Sequence, residues 1–178
     1  GVDYQHLLDI GRVKLDKLVP RQFADKMIRR LLGMIIPYAG RFRMMIALAR
    51  IGRLFRWAMP AAMRAALDKI PAELKPFDRV GGHDAVFSPD KKPVKRVVLL
   101  AGCAQRALDP EINASTIRVL NRLAVEVVVR SEVHCCGALA HHIGETDRAH
   151  HTVRSAVLAW YDEMKSGGLD AIVVNASG

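Results

Sequence analysis

The chain has 178 residues, of which 51% are hydrophobic and 25% charged, a balance that builds a folded core and excludes a disordered protein. Its net charge of +9 is uneven, because residues 1–96 hold 20 Lys and Arg against 9 Asp and Glu, whereas residues 97–178 hold 7 against 9. Three cysteines, two of them adjacent, are too few for a disulfide framework, which favours a reducing compartment and metal or redox chemistry.

The first part of the chain shows helical periodicity. Apolar residues recur at helical spacing over 4–32, with Pro20 between two stretches, so we predict two helices there. Residues 41–70 have the pattern of a basic amphipathic helix or helix pair that is interrupted at Pro60. One side of its helical wheel carries Arg43, Arg50, Arg53 and Arg64. Such a basic face indicates a solvated helical surface, a docking helix inside a multidomain protein, or a surface for an acidic partner, an anionic membrane or nucleic acid.

Residues 71–95 combine prolines, glycines and charges, which predicts a linker that contains the domain boundary. Beyond the linker, continuous apolar runs predict buried strands at 96–102, 125–129 and 171–174. No apolar run reaches the roughly 20 residues that a membrane span needs, and no secretory signal is visible.

Helices are predicted between these strands. Asp109 and Pro110 predict the start of one helix, which ends near Leu123. A short helix ending near His142 and a longer one over 146–165 follow the second strand. The order β-α-β-α-α-β predicts an α/β fold in which a basic helical N-terminal part precedes an incomplete parallel sheet with right-handed crossovers.

The cysteines lie at the ends of predicted strands. Cys103 follows the first strand, whereas Cys135 and Cys136 lie in the loop after the second. Ligand sites of open parallel sheets lie beyond the carboxyl ends of the strands, so we expect the three thiols to meet at one edge. Thiolates suit iron–sulfur clusters or zinc, which usually take four protein donors. The fourth donor is expected from His134, from an exogenous ligand or from sequence beyond Gly178.

Other interpretations of these residues stay open. The cysteines are alternatively buried and unligated, or ligands of a structural zinc together with His134. Gly137 is expected to let the chain turn tightly and to let main-chain amides approach cluster sulfurs. Ser177 and Gly178 are expected just past the third strand, at the same edge. Asp162 and Glu163 have the pattern of a solvated helix end, and we assign no catalytic acid or base.

The motif residues resemble a known family. Cys103, followed one helix and one strand later by Cys135-Cys136-Gly137, resembles the first half of the cysteine-rich CCG domain of heterodisulfide reductase subunits and dehydrogenase iron–sulfur subunits. The flanking segments resemble more narrowly the iron–sulfur subunits of glycolate oxidase (glycolate dehydrogenase). These segments are 99–108, 121–123, 135–139 and 172–178.

The resemblance implies an organisation in three parts. Residues 1–32 would be the tail of a ferredoxin-like cluster domain, 33–94 a basic helical segment and linker, and 95–178 a first CCG domain that is truncated at its C-terminus. Cys103, Cys135 and Cys136 would bind an iron–sulfur cluster of the 4Fe-4S type. Both ends are expected to continue into sequence with more cysteines.

The resemblance also implies a function in electron transfer. Separate flavin-containing subunits, which carry FAD, would oxidise glycolate to glyoxylate, and this chain would pass the electrons towards a quinone or another acceptor. The expected location is the cytoplasm, with peripheral contact at the cytoplasmic face of the inner membrane as an alternative. Nucleic acid is not an expected partner, because aromatic residues make up only 6% of the chain.

Two alternative functions stay open. The first is a CCG-domain subunit that serves another substrate, namely lactate, glycerol 3-phosphate or a heterodisulfide. The second is a structural zinc or thiol binding module without a role in electron transfer.

Overall fold

A computed structural model of the chain describes residues 2–19, 22–71, 73–76 and 80–175. Within them, the N-terminal half is helical: α1 (Tyr4–Leu18), α2 (Phe23–Ile35), α3 (Ala39–Gly52) and α4 (Ala61–Asp68), with a 3₁₀ helix (Arg53–Ala58) between α3 and α4. The helix pair predicted over 4–32 and the interrupted pair over 41–70 are confirmed. Pro20, which was predicted to separate the first two helices, lies outside the described residues.

The C-terminal half alternates strands and helices. The strands are β1 (Ala85–Phe87), β2 (Lys95–Leu100), β3 (Val125–Val129) and β4 (Ala171–Val174). The helices are α5 (Cys103–Leu108), α6 (Glu111–Arg122), α7 (Ala138–His142) and α8 (Thr146–Gly167). No helix within the described ranges is both long and apolar enough to cross a membrane.

The strands form one sheet in the order β1-β3-β2-β4. β2 lies at its centre and runs parallel to both neighbours, with Val98 opposite Val128 of β3 and Ile172 of β4. Consecutive side chains from Val97 to Leu100 are buried, because helices cover both faces of a parallel sheet. β4 lies at the edge of the described sheet, and most of its side chains are exposed.

The predicted mixed α/β class is confirmed, with two corrections. The predicted linker 71–95 contains β1, which pairs antiparallel with β3. A strand of three residues has no local pattern strong enough to predict it, because its pairing depends on a distant partner. The second correction is α5, which begins at Cys103 itself. Asp109 is the C-cap residue of α5, and its side chain does not cap α6, whose N-cap residue is Pro110. Its carboxylate instead accepts hydrogen bonds of 2.8 and 2.7 Å from Nζ of Lys75.

Glu163 was predicted to lie at a solvated helix end, and this prediction is wrong. Its side chain is only 6% exposed. Oε1 lies 2.6 Å from Nη2 of Arg96, at the start of β2, and Oε2 lies 3.4 Å from Nη1 of Arg130, just after β3. One buried carboxylate therefore joins α8 to the two central strands. Buried charges of this kind are stable only when they are paired.

Glu163→Gln should destabilise the fold. The amide keeps the shape of the side chain but removes the negative charge that Arg96 and Arg130 share, while each arginine keeps one other carboxylate, Glu126 for Arg96 and Asp84 for Arg130. We therefore expect a loss of about 1–3 kcal/mol in the free energy of unfolding. Urea denaturation followed by circular dichroism measures this loss. Asp162→Asn, at the exposed neighbouring position of the same helix, is the matched control. Equal stability of the two variants would contradict the role of Glu163.

Candidate metal centre

Cys103 is the first residue of α5 and follows β2 after a sharp turn. The turn is made by Gly102, whose φ of +49° lies in the left-handed region. A Cβ at this position would lie 2.5 Å from Oε1 of Gln105. Glycine therefore lets the chain pass directly from the central strand into the helix, with the partly buried thiol of Cys103 at the junction.

Cys135 and Cys136 lie in the loop between β3 and α7. Cys135 is buried and Cys136 is exposed. Gly137, with φ of +82°, begins α7 from the left-handed region, and its main-chain N–H donates a hydrogen bond of 3.4 Å to the sulfur of Cys135. The tight turn that the sequence predicted at Gly137 is confirmed, whereas the approach of main-chain amides to cluster sulfurs stays a prediction.

The three thiols interact in a row. A hydrogen bond from the Cys135 thiol lowers the pKa of Cys103, although burial acts in the opposite direction. The same bond raises the pKa of Cys135, which must keep its proton to donate it. The pKa of Cys136 is raised strongly, first by its hydrogen bond with Cys135 and then by burial. The topology therefore brings the three cysteines together at one edge of the sheet, and Cys103 is the thiol that ionises most readily.

Across the described residues, no group of three or more His, Cys, Asp or Glu side chains is placed to hold a metal ion. Ligation would require each sulfur to lose its proton and to turn towards the metal. In donor chemistry the three sulfurs fit a soft metal or an iron–sulfur cluster. Their assignment as ligands stays a prediction.

The histidines near the cysteines make contacts of their own. The ring of His134 stacks on Tyr38 of the helical half, with centroids 5.4 Å apart. The rings of His141 and His142 lie 5.8 Å from each other at the end of α7. The stacking of Tyr38 on His134 had no signal in the sequence, because it depends on how α3 packs against α5. Ser177 and Gly178, which were predicted at this edge, lie outside the described residues.

Comparison with known proteins agrees with this arrangement. Residues 97–178 match the family model of the CCG domain, described as a cysteine-rich domain. The match contains all three cysteines and begins close to the boundary predicted at residue 95. The C-terminal half of the chain is therefore similar to CCG cysteine-rich domains.

Two curated relatives have a more specific name than the family model. The chain is 34% identical over all of its 178 residues to the glycolate oxidase iron-sulfur subunit of Escherichia coli strain K12, of which it spans 40%. It is 25% identical over its full length to the probable glycolate oxidase iron-sulfur subunit of Bacillus subtilis strain 168, of which it spans 42%. The chain is thus a relative of glycolate oxidase iron–sulfur subunits and spans less than half the length of these two. No solved structure matches it significantly.

The thiols should differ in their reaction with iodoacetamide, which attacks the thiolate. In the metal-free chain, the rate for Cys103 should rise at a lower pH than the rate for Cys136, because the hydrogen bond from Cys135 stabilises the Cys103 thiolate. Peptide mass spectrometry across a pH series measures both rates. Cys135→Ala removes the donor and should move the Cys103 profile to higher pH. An unchanged profile in that variant would refute the hydrogen-bonded row.

Proposed function

We propose that this chain belongs to the iron–sulfur subunit of a glycolate oxidase complex and carries electrons rather than transforming substrate. The observation that carries the proposal is the meeting of Cys103, Cys135 and Cys136 in a chain that resembles such subunits along its whole length. Residues 95–178 would be the first CCG domain of that subunit, with residues 1–32 and 33–94 as the tail of a ferredoxin-like domain and the connecting helical segment.

We propose Cys103, Cys135 and Cys136 as three ligands of a 4Fe-4S cluster. Two features of this chain support the proposal. The Gly137 N–H already points at the sulfur of Cys135, and such a bond stabilises a thiolate ligand. The turns at Gly102 and Gly137 bring two separate loops to the same edge. A bound cluster would supply reversible one-electron transfer, and the protein would hold it through these sulfurs.

The proposed partners are flavin subunits that carry FAD. They would oxidise glycolate to glyoxylate and deliver the electrons, which pass on to a quinone or another acceptor. We place the subunit in the cytoplasm, in peripheral contact with the inner membrane. Exposed apolar side chains of α3 and the following 3₁₀ helix support this contact. Leu48, Ile51 and Trp57 are 61%, 59% and 83% exposed, as in interfacial helices that bury such side chains in lipid.

Replacing the cysteines should remove the cluster. The full-length subunit, purified anaerobically, is expected to contain iron and acid-labile sulfide and to give an electron paramagnetic resonance (EPR) signal when reduced. Cys103→Ser, Cys135→Ser and Cys136→Ser should each lower the iron content and abolish or alter the signal. His142→Gln, at an exposed histidine at the end of α7, is the control, whereas His134→Gln tests His134 as the fourth donor. Zinc in place of iron, or iron retained by all three serine variants, would reject the cluster assignment.

The substrate of the complex is a separate question, because other CCG-domain subunits act with other dehydrogenases. In a complex assembled from the full subunit and its flavin partners, glycolate should reduce the EPR-active cluster and an artificial acceptor, whereas lactate and glycerol 3-phosphate should reduce them slowly. Cys103→Ser should block reduction of the cluster but leave flavin reduction by glycolate intact. If lactate or glycerol 3-phosphate reduced the cluster faster than glycolate does, that compound would replace glycolate as the assigned substrate.

A further inference from the structure

Arginines of the helical half donate hydrogen bonds to main-chain carbonyls at the C-terminal ends of helices. Arg41 binds Met34 O in the last turn of α2, and Arg53 binds Leu67 O in the last turn of α4. The last carbonyls of a helix lack hydrogen-bond donors within the helix and lie at the negative end of its dipole. A guanidinium group supplies both a donor and a positive charge. Part of the positive charge of the helical half therefore pairs with main-chain carbonyls of the same chain.

Two more arginines make the same bond across the boundary into the CCG domain. Nη1 of Arg43 in α3 donates to Ala107 O, in the last turn of α5, at 3.1 Å. Nη1 of Arg29 in α2 donates to Ile143 O, at the end of α7, at 2.9 Å. These two short helices share one property. α5 begins at Cys103, and α7 begins directly after Cys135-Cys136-Gly137.

We propose that Arg43 and Arg29 are positioning residues for the metal centre: each anchors, from the C-terminal end, the short helix that follows the candidate ligands. The inference rests on the proposed role of the cysteines as ligands. It assigns to the helical half the task of fixing the two loops relative to each other. The arginines act through the helices and do not touch the sulfurs.

The lengths of α5 and α7 make this anchoring necessary. They contain six and five residues, and helices this short are unstable without tertiary contacts. In α5 the N–H of Arg106 bonds to Gly102 O at 3.2 Å, and in α7 the N–H of His141 bonds to Gly137 O at 3.0 Å. Opening either helix would therefore free the turn that sets the direction of its cysteine.

Each arginine is itself held in place. Arg43 also donates from Nη2 to Lys75 O at 2.7 Å, so its guanidinium joins two carbonyls from different segments. Nε of Arg29 lies 3.6 Å from Oδ2 of Asp25, one turn earlier in α2. The helices that carry them pack closely on the CCG domain. Ile46 of α3 is buried, and a Cβ at Gly33 of α2 would lie 2.9 Å from Oε2 of Glu145.

This arrangement revises the interpretation of the basic helical face. The sequence placed Arg43, Arg50, Arg53 and Arg64 on one side and left open a solvated face, a docking helix inside the protein, or an acidic or anionic partner. In the structure Arg43 and Arg53 point to carbonyls of their own chain, and only Arg50 and Arg64 are exposed. The cross-boundary pairs contribute to the internal stability of the site.

Hydrogen–deuterium exchange of the full chain tests the proposal without any metal. Arg43→Gln should speed exchange in fragments covering 103–109 about tenfold, and Arg29→Gln should do so in fragments covering 138–144, the change that follows the loss of one charge-assisted bond. Arg50→Gln and Arg30→Gln remove exposed arginines from the same two helices and should change neither fragment. General destabilisation would speed both fragments in both variants, and that result would overturn the proposal.

The second measurement is EPR spectroscopy of the full-length subunit with its cluster bound. Arg43→Gln and Arg29→Gln should alter the g-values or line shape of the EPR signal, whereas the two control variants should match the wild type. Arg43→Lys keeps the charge but reaches one carbonyl only, so its exchange should lie between wild type and Arg43→Gln. If exchange rises selectively but the EPR signal stays unchanged, the arginines stabilise the two helices without positioning the cluster, which would contradict the proposal. A full-length subunit that binds no iron would refute the proposed function, while the exchange pattern would still decide the anchoring.

Discussion

Parallel pairing of β2 with β3 is the constraint on which the candidate site depends. Because Val97 lies opposite Val127 and both strands run in the same direction, the loops that follow them emerge at the same edge of the sheet. Cys103 lies in the first loop region and Cys135 in the second. The apolar side chains that bury the two strands therefore also determine that the thiols meet, although these side chains have no chemistry of their own.

The sequence was sufficient to predict the parts of the fold that local patterns encode. Continuous apolar runs identified β2, β3 and β4, and periodicity identified the long helices. β1 was missed because three residues among prolines and charges carry little information without their partner strand. Glu163 was misplaced because its charge predicts solvent exposure, whereas its burial depends on Arg96 and Arg130, which reach it only after the sheet and α8 have packed.

The sequence also predicted one part of the candidate site and not another. Strand-end placement was enough to predict that Cys103 and Cys135 meet, and Gly137 was enough to predict the turn. The hydrogen-bonded row of thiols and the contacts from the helical half were not predictable, because they depend on side-chain packing between distant segments. The basic helices show the difference most clearly, since charge pattern alone predicts an outward-facing surface, whereas Arg43 and Arg53 bind inward.

β4 leaves one side of the described sheet open for pairing with a further strand. Within the described sheet it pairs with β2 on one side only, and Ile172 and Val174 are 45% and 54% exposed. The free side presents main-chain donors and acceptors in the spacing that another strand requires, without a charged side chain in the strand to repel it. A further strand can therefore pair with β4 on this side, whether it comes from the same protein or from another molecule.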